Sequence, residues 1–272
     1  MPKKFYLETS AIRSRLIGHS LISEQLKQSL RNQTKVTSKF VKMEFERSLI
    51  YDLIEFYFIL KNQKYISDAI KYWNEDFRTR KIKNINIVIS DMFFNIENFD
   101  VNLGLLRLRS SIKSLLIEFK YLIQRYDKNS TNCYLGNYDL NFNLCKKATE
   151  FEKEFVTFHD FYKENYIDKC KLSLLFFESK DLIDKIIEHS SKNRSFNKQL
   201  VELIKIRDNI RKLSCSTCKI IGDLIVTLEC PSYAILLTLD TVFEELCKIL
   251  SLKFEIIPNI RALQPLNSFK KE

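Results

Sequence analysis

The chain has 272 residues, 45% of them hydrophobic and 12% aromatic, with a formal net charge of +10. That composition can bury a large core and excludes a disordered chain, and no charge-free run of about 18 apolar residues reads as a membrane-spanning helix. The start, MPKKFYLETS, carries lysines but no apolar stretch with a cleavage site behind it, so the expectation is a cytoplasmic chain, no membrane partner and seven reduced cysteines.

Only four glycines and four prolines predict long, uninterrupted elements, chiefly helices. Residues 4–8 read as a short apolar strand. Residues 21–31 have helical spacing, with Ser20 as a candidate cap. Residues 34–38, TKVTS, are β-prone, and residues 39–60 form a long helix after Ser38. The middle reads as helices at 64–77, 103–126, 146–166, 168–189 and 196–213. The segment 85–90, INIVIS, suits a strand or a buried helical turn, and 127–143 is rich in turn-forming residues. Toward the end, a helix at 218–230, a buried strand at 233–240, a helix at 241–250 and a strand at 254–258 follow one another. Strands alternating with helices at both ends predict an α/β fold whose parallel sheet is built from the two ends of the chain.

Four carboxylates are distinguished by position. Glu8 ends the first strand, Glu44 lies early in the helix after the second, Asp223 follows Gly222 at a helix start, and Asp240 ends the strand AILLTLD. Ligands of open parallel sheets bind at the carboxyl ends of strands, where helix starts also point. Clustered acids repel unless a cation lies among them, and hard cations take oxygen ligands. The local reading is metal-assisted phosphodiester hydrolysis. Singly, each acid has a plainer role: Glu44 as a solvated helix residue, Asp223 at a helix dipole, Asp240 as an N-cap. Glu8 is the hardest to explain that way, because an unpaired buried charge is costly.

At these residues the chain resembles the PIN-domain nucleases. The matching pieces are FYLETSAI, VTSKFVKMEFER, GDLIVTLE and AILLTLDTVFEEL, in that order, over residues 3–59 and 215–258. The resemblance implies a PIN-like, Rossmann-like parallel sheet with helices on both faces, and a divalent-metal-dependent endoribonuclease that leaves a 5′-phosphate and a 3′-hydroxyl. Carried over, Glu8, Glu44, Asp223 and Asp240 would hold Mg²⁺ or Mn²⁺. Thr9 and Ser10 would assist near the first acid and Thr238 near the last. The family's first acid is normally Asp; here it is Glu8, one methylene longer. The expected domains are therefore 1–59 with 215–272 as the PIN-like part, and 60–214 as a mostly helical inserted lobe. The alternatives are a catalytically inactive PIN-like module that binds RNA or protein, and the toxin of a toxin–antitoxin pair.

The inserted segment holds +7 of the net charge, against +4 for residues 1–59 and −1 for 215–272. Within it, Arg78, Arg80, Lys81, Arg107 and Arg109 are candidates for RNA phosphate contact, with a solvated face as the plainer reading. The lobe is also the expected surface for a protein partner or a homo-oligomer. Cys215 and Cys218 have CxxC spacing, but no second pair accompanies them and His19, His159 and His189 are scattered, so buried thiols are expected in place of zinc. Neither a GxGxxG nor a Walker loop is present, which removes support for nucleotide-cofactor chemistry.

Overall fold

In the computed structural model of the chain, the described residues are 2–17, 20–76, 88, 100–123, 125–126, 145, 147–163, 172–190, 197–208 and 220–257. The chain forms two compact units: Met1–Ser38 with Ile123–Thr131 and Leu172–Glu272, and Lys39–Leu122 with Asn132–Lys171. These divisions fall at other points than 59/60 and 214/215. The helices after Ser38 belong to the second unit, and residues 172–214 belong with the sheet.

The first unit holds strands β1 (Lys4–Leu7), β2 (Thr34–Thr37), β3 (Arg125–Tyr126), β4 (Ile235–Thr238) and β5 (Lys253–Ile256) in one sheet of order β3-β2-β1-β4-β5. Every pairing is parallel, with Phe5 opposite Lys35 on one side and opposite Ile235 on the other. Successive strand residues face opposite sides. Phe5, Tyr6 and Leu7 are all buried, so both faces of β1 are covered, the condition a parallel sheet needs. The helices of this unit are α1 (Thr9–Ile17), α2 (Ser20–Ser29), α8 (Leu172–Glu178), α9 (Lys180–Ser190), α10 (Asn197–Asp208), α11 (Gly222–Leu228) and α12 (Val242–Ile249). The fold class is thus α/β with a parallel sheet, as the sequence predicts, and four of its strands come from the two ends of the chain.

Several elements differ from expectation: the helix at 39–60 is interrupted by a π-helical segment, Glu46–Ile50, and that at 168–189 is divided into α8 and α9. The predicted helix 103–126 ends at Leu122, and Arg125–Tyr126 pair with Val36 and Thr37 as an edge strand, because a third parallel strand is available beside β2. Residues 9–17, for which no element is predicted, form α1; its amphipathic pattern is broken by Arg13 and Arg15. Residues 85–90 apart from Val88, the segment 127–143 and Cys215 and Cys218 lie outside the described residues.

The junction from α12 to β5 is a closed C-cap. Leu252 N–H donates to Cys247 O at 2.9 Å, Ser251 N–H donates to Lys248 O at 3.3 Å, and Ser251 has φ 55°. This is the Schellman pattern, in which the left-handed residue is most often glycine because a Cβ is penalised there. Ser251→Gly is expected to raise stability by about 0.5–1 kcal/mol, and Ser251→Val to lower it, both read from urea midpoints.

The second unit comprises α3 (Lys39–Phe45), a π-helical segment (Glu46–Ile50), α4 (Tyr51–Lys61), α5 (Ile66–Asp76), α6 (Val101–Leu122) and α7 (Ala148–Lys163). Helix α4 packs on α5, α6 and α7. It is central because Leu53, Ile54, Phe56, Tyr57 and Leu60 are all buried. At Gly104, α6 comes close enough that an added Cβ would lie 3.1 Å from Ile66 Cδ1 and 3.3 Å from Leu60 Cδ2. The π turn carries one of the two acids this unit buries among the described residues, the other being Asp52 on α4. Glu46 accepts a hydrogen bond from Tyr162 Oη at 2.6 Å, and Lys42 Nζ lies 3.5 Å away. Among the described residues no helix is long and apolar enough to cross a membrane.

Candidate functional site

The order of the sheet creates one special edge. From β1 the chain proceeds outward to β2 and β3, and β4 with β5 then build the sheet on β1's other side. The crevice beyond the carboxyl ends of β1 and β4, where the direction reverses, is where open parallel sheets bind ligands. Glu8 directly follows β1, and Asp240 stands two residues beyond the end of β4.

Glu8 is only 4% exposed. Its backbone N–H donates to Leu237 O at 3.4 Å, and its carbonyl accepts the first helical bond of α1 from Ile12 at 3.1 Å. Its side chain caps the same helix: Oε2 accepts Ser10 N–H at 2.7 Å and Oε1 accepts Ala11 N–H at 3.0 Å. The Ser10 hydroxyl donates to Oε1, and the Thr238 hydroxyl supplies a further bond. The question raised by an acid at the end of a buried strand therefore has a local answer. The first turn of α1 supplies the N–H groups that a helix start leaves unsatisfied, and Glu8 takes them. Burial nevertheless raises its pKa above the ordinary carboxylate value, against the lowering effect of these donors.

Ser10 ties the two strand ends together, since its hydroxyl oxygen also accepts Leu239 N–H at 3.1 Å. Thr238 Oγ1 accepts Asp240 N–H at 2.9 Å, and Asp240 Oδ1 accepts Val242 N–H at 3.0 Å at the start of α12. Thr37 closes the β2 side with a 2.7 Å bond to Leu7 O. Glu8, Ser10, Thr238 and Asp240 are thus joined by one chain of hydrogen bonds across the reversal point. Thr9 is buried in the first turn of α1.

Asp223 lies in the first turn of α11 in the same unit, half-buried, with Gln199 Nε2 donating to its Oδ2 at 3.4 Å. Glu44 stands half-buried on α3 in the helical unit, where its carbonyl accepts the Ser48 hydroxyl. Sequence reasoning singled out Glu44 and passed over Glu46, which the unit buries. The signal for Glu46 was its place four residues after Lys42, the spacing of an ion pair on one helix face.

The donor chemistry of Glu8, Asp223 and Asp240 is all carboxylate oxygen, the kind that Mg²⁺ and Mn²⁺ take. Asp240 Oδ2 accepts no hydrogen bond among the described residues. Among those residues no three His, Cys, Asp or Glu side chains gather into a group that would hold a metal ion. Of the basic candidates, Arg78, Arg80 and Lys81 lie outside the described residues, and Arg107 and Arg109 stand half-buried on α6. Cys230 and Cys247 are buried thiols, and burial pushes Cys247 up to about 12, which keeps it protonated and inert. Comparison with protein-family models, with curated proteins and with solved structures finds no match for this chain.

Proposed function

We propose that the protein is a divalent-metal-dependent endoribonuclease of PIN type, acting at the carboxyl edge between β1 and β4. The observation that carries this reading is the meeting of Glu8 and Asp240 at the reversal point of an all-parallel β3-β2-β1-β4-β5 sheet. Mg²⁺ or Mn²⁺ would be held at this edge by Glu8 and Asp240, with Asp223 and Glu44 the further acids to be tested. Bound there, the ion supplies Lewis acidity toward a phosphodiester.

The chain's own groups do the rest. Ser10 and Thr238 hold the Glu8 carboxylate in one orientation. The hydrogen bond from Val242 N–H to Asp240 Oδ1 leaves Oδ2 as that residue's outward oxygen. Water adds to phosphorus and the P–O3′ bond breaks. The water's proton passes to a basic oxygen, for which the raised proton affinity of Glu8 is suited, and the departing O3′ takes a proton from solvent to become the 3′-hydroxyl.

A second reading, a catalytically silent module that binds RNA or protein, is favoured by one observation. The acceptor positions of Glu8 are already taken by Ser10, Ala11 and Thr238. Incubation with a single-stranded RNA separates the two. Endonucleolytic products with 5′-phosphate ends are expected in Mn²⁺ or Mg²⁺, and none in EDTA. Intact RNA at every divalent concentration, with binding retained, would establish the silent module.

A further inference from the structure

The helical unit contains a cleft of about 310 Å³ lined by Leu106, Arg109, Ser110 and Lys113 of α6 and by Ala148 and Phe151 of α7. The α6 residues fall three or four apart and so share one helix face. Among the described residues, two cations and a hydroxyl line the cleft and no carboxylate does. The Arg109 guanidinium carbon lies 6.0 Å from the centre of the Phe151 ring, at the reach of a cation–π contact that restrains the guanidinium. Its Nε is buried and makes no hydrogen bond among the described residues. Glu152, the acid of α7 that feels Arg109, is already occupied by Lys61 Nζ at 2.8 Å and Tyr57 Oη at 3.0 Å. Leu106 is 56% exposed beside these charges. Cations that form no ion pair among the described residues, set against apolar and aromatic surface, are the parts that single-stranded nucleic-acid sites combine.

We propose that this cleft grips one nucleotide of single-stranded RNA. Arg109 and Lys113 contact its phosphate oxygens, the Ser110 hydroxyl donates a further bond, and Leu106 lies against the sugar or base. RNA as the occupant rests on the proposed function; the anion-binding character of the cleft rests on its lining. Of the two arginines singled out on α6 in the sequence, Arg109 serves this site and Arg107 does not line it.

The test uses the full chain in EDTA, with a fluorescent oligouridylate followed by anisotropy across a KCl series. Lys113→Glu leaves the Arg109–Phe151 contact in place, and Lys120→Glu makes the same charge change at an exposed site on the same helix. Lys113→Glu is expected to weaken binding about tenfold at low salt. It should also make the log–log salt slope shallower by about 0.7, the loss of one single-strand phosphate contact. Arg109→Gln should do the same, with Lys120→Glu far weaker in effect. Equal losses for Lys113→Glu and Lys120→Glu would overturn the site. Displacement of the oligomer by inorganic phosphate at equal concentration would overturn RNA as the occupant. Divalent ions are absent, so cleavage plays no part. RNA bound through Lys113 but never cut in Mn²⁺ would overturn the nuclease reading alone, and RNA cut by a chain indifferent to Lys113 would overturn this site alone.

Discussion

Asp240→Asn is expected to lower Mn²⁺-dependent RNA cleavage about a hundredfold or more without unfolding the protein. The substitution replaces a carboxylate oxygen with an amide nitrogen and removes a full negative charge from a proposed metal ligand. Such an interaction contributes several kcal/mol to the transition state, and about 1.4 kcal/mol corresponds to a factor of ten. The fold should survive because Asn retains the oxygen that accepts Val242 N–H at the start of α12. A melting temperature close to wild type, beside a collapsed initial rate at saturating RNA, is the result that assigns Asp240 to chemistry. Asp223→Asn should behave likewise; Gln199 Nε2 approaches its Oδ2 at 3.4 Å. Glu44→Gln tests the fourth acid in the same assay. Full activity in both Asp240→Asn and Asp223→Asn would remove the metal site from this edge.

Glu8 is expected to matter most for stability. Glu8→Ala removes the cap of α1 and leaves Ser10 N–H, Ala11 N–H and two hydroxyls without their acceptor in a buried place. A lost cap costs about 1 kcal/mol and each orphaned buried donor about 1–3 kcal/mol. A total loss of about 2–4 kcal/mol in urea unfolding is expected, because the hydroxyls can turn to other partners. Glu8→Gln keeps one acceptor oxygen and should cost less than Glu8→Ala.

The pH dependence has a definite sign. Burial raises the folded-state pKa of Glu8, so the folded chain binds this proton more tightly than the unfolded chain. Its contribution is greatest below the ordinary carboxylate pKa and is lost as pH rises through the raised value. Wild type should therefore lose stability relative to Glu8→Gln across that window. Parallel pH profiles for the two would show that Glu8 titrates normally, and an unchanged urea midpoint for Glu8→Ala would show that the cap does not hold α1.

Strand positions were legible along the chain where short runs are aromatic or β-branched, as at residues 4–8, 34–38 and 233–240. The edge strand was not. Arg125 and Tyr126 have no strand character of their own, and only the exposed ladder of β2 makes them one. Helix α1 escaped notice for a related reason: its start is marked by Glu8, outside the short polar residues usually read as caps. The cap becomes recognisable only when the carboxylate is seen to reach Ser10 and Ala11.

By itself the sequence determined the α/β class, because alternating strand-like and helix-like segments leave few ways to bury both. It also placed an acid directly after one strand and another at the end of a second. Only the tertiary structure decided that these two strands are neighbours. The pairing of Phe5 with Ile235 joins segments from opposite ends of the chain, and no local pattern encodes which strand lies beside which. Tertiary structure likewise decided that Ser10 bridges Glu8 and the backbone of Leu239, and that the segment after Ser38 builds a separate helical unit around α4. Burial and hydrogen-bond satisfaction are properties of the assembled neighbours, so they emerge only once distant segments have met.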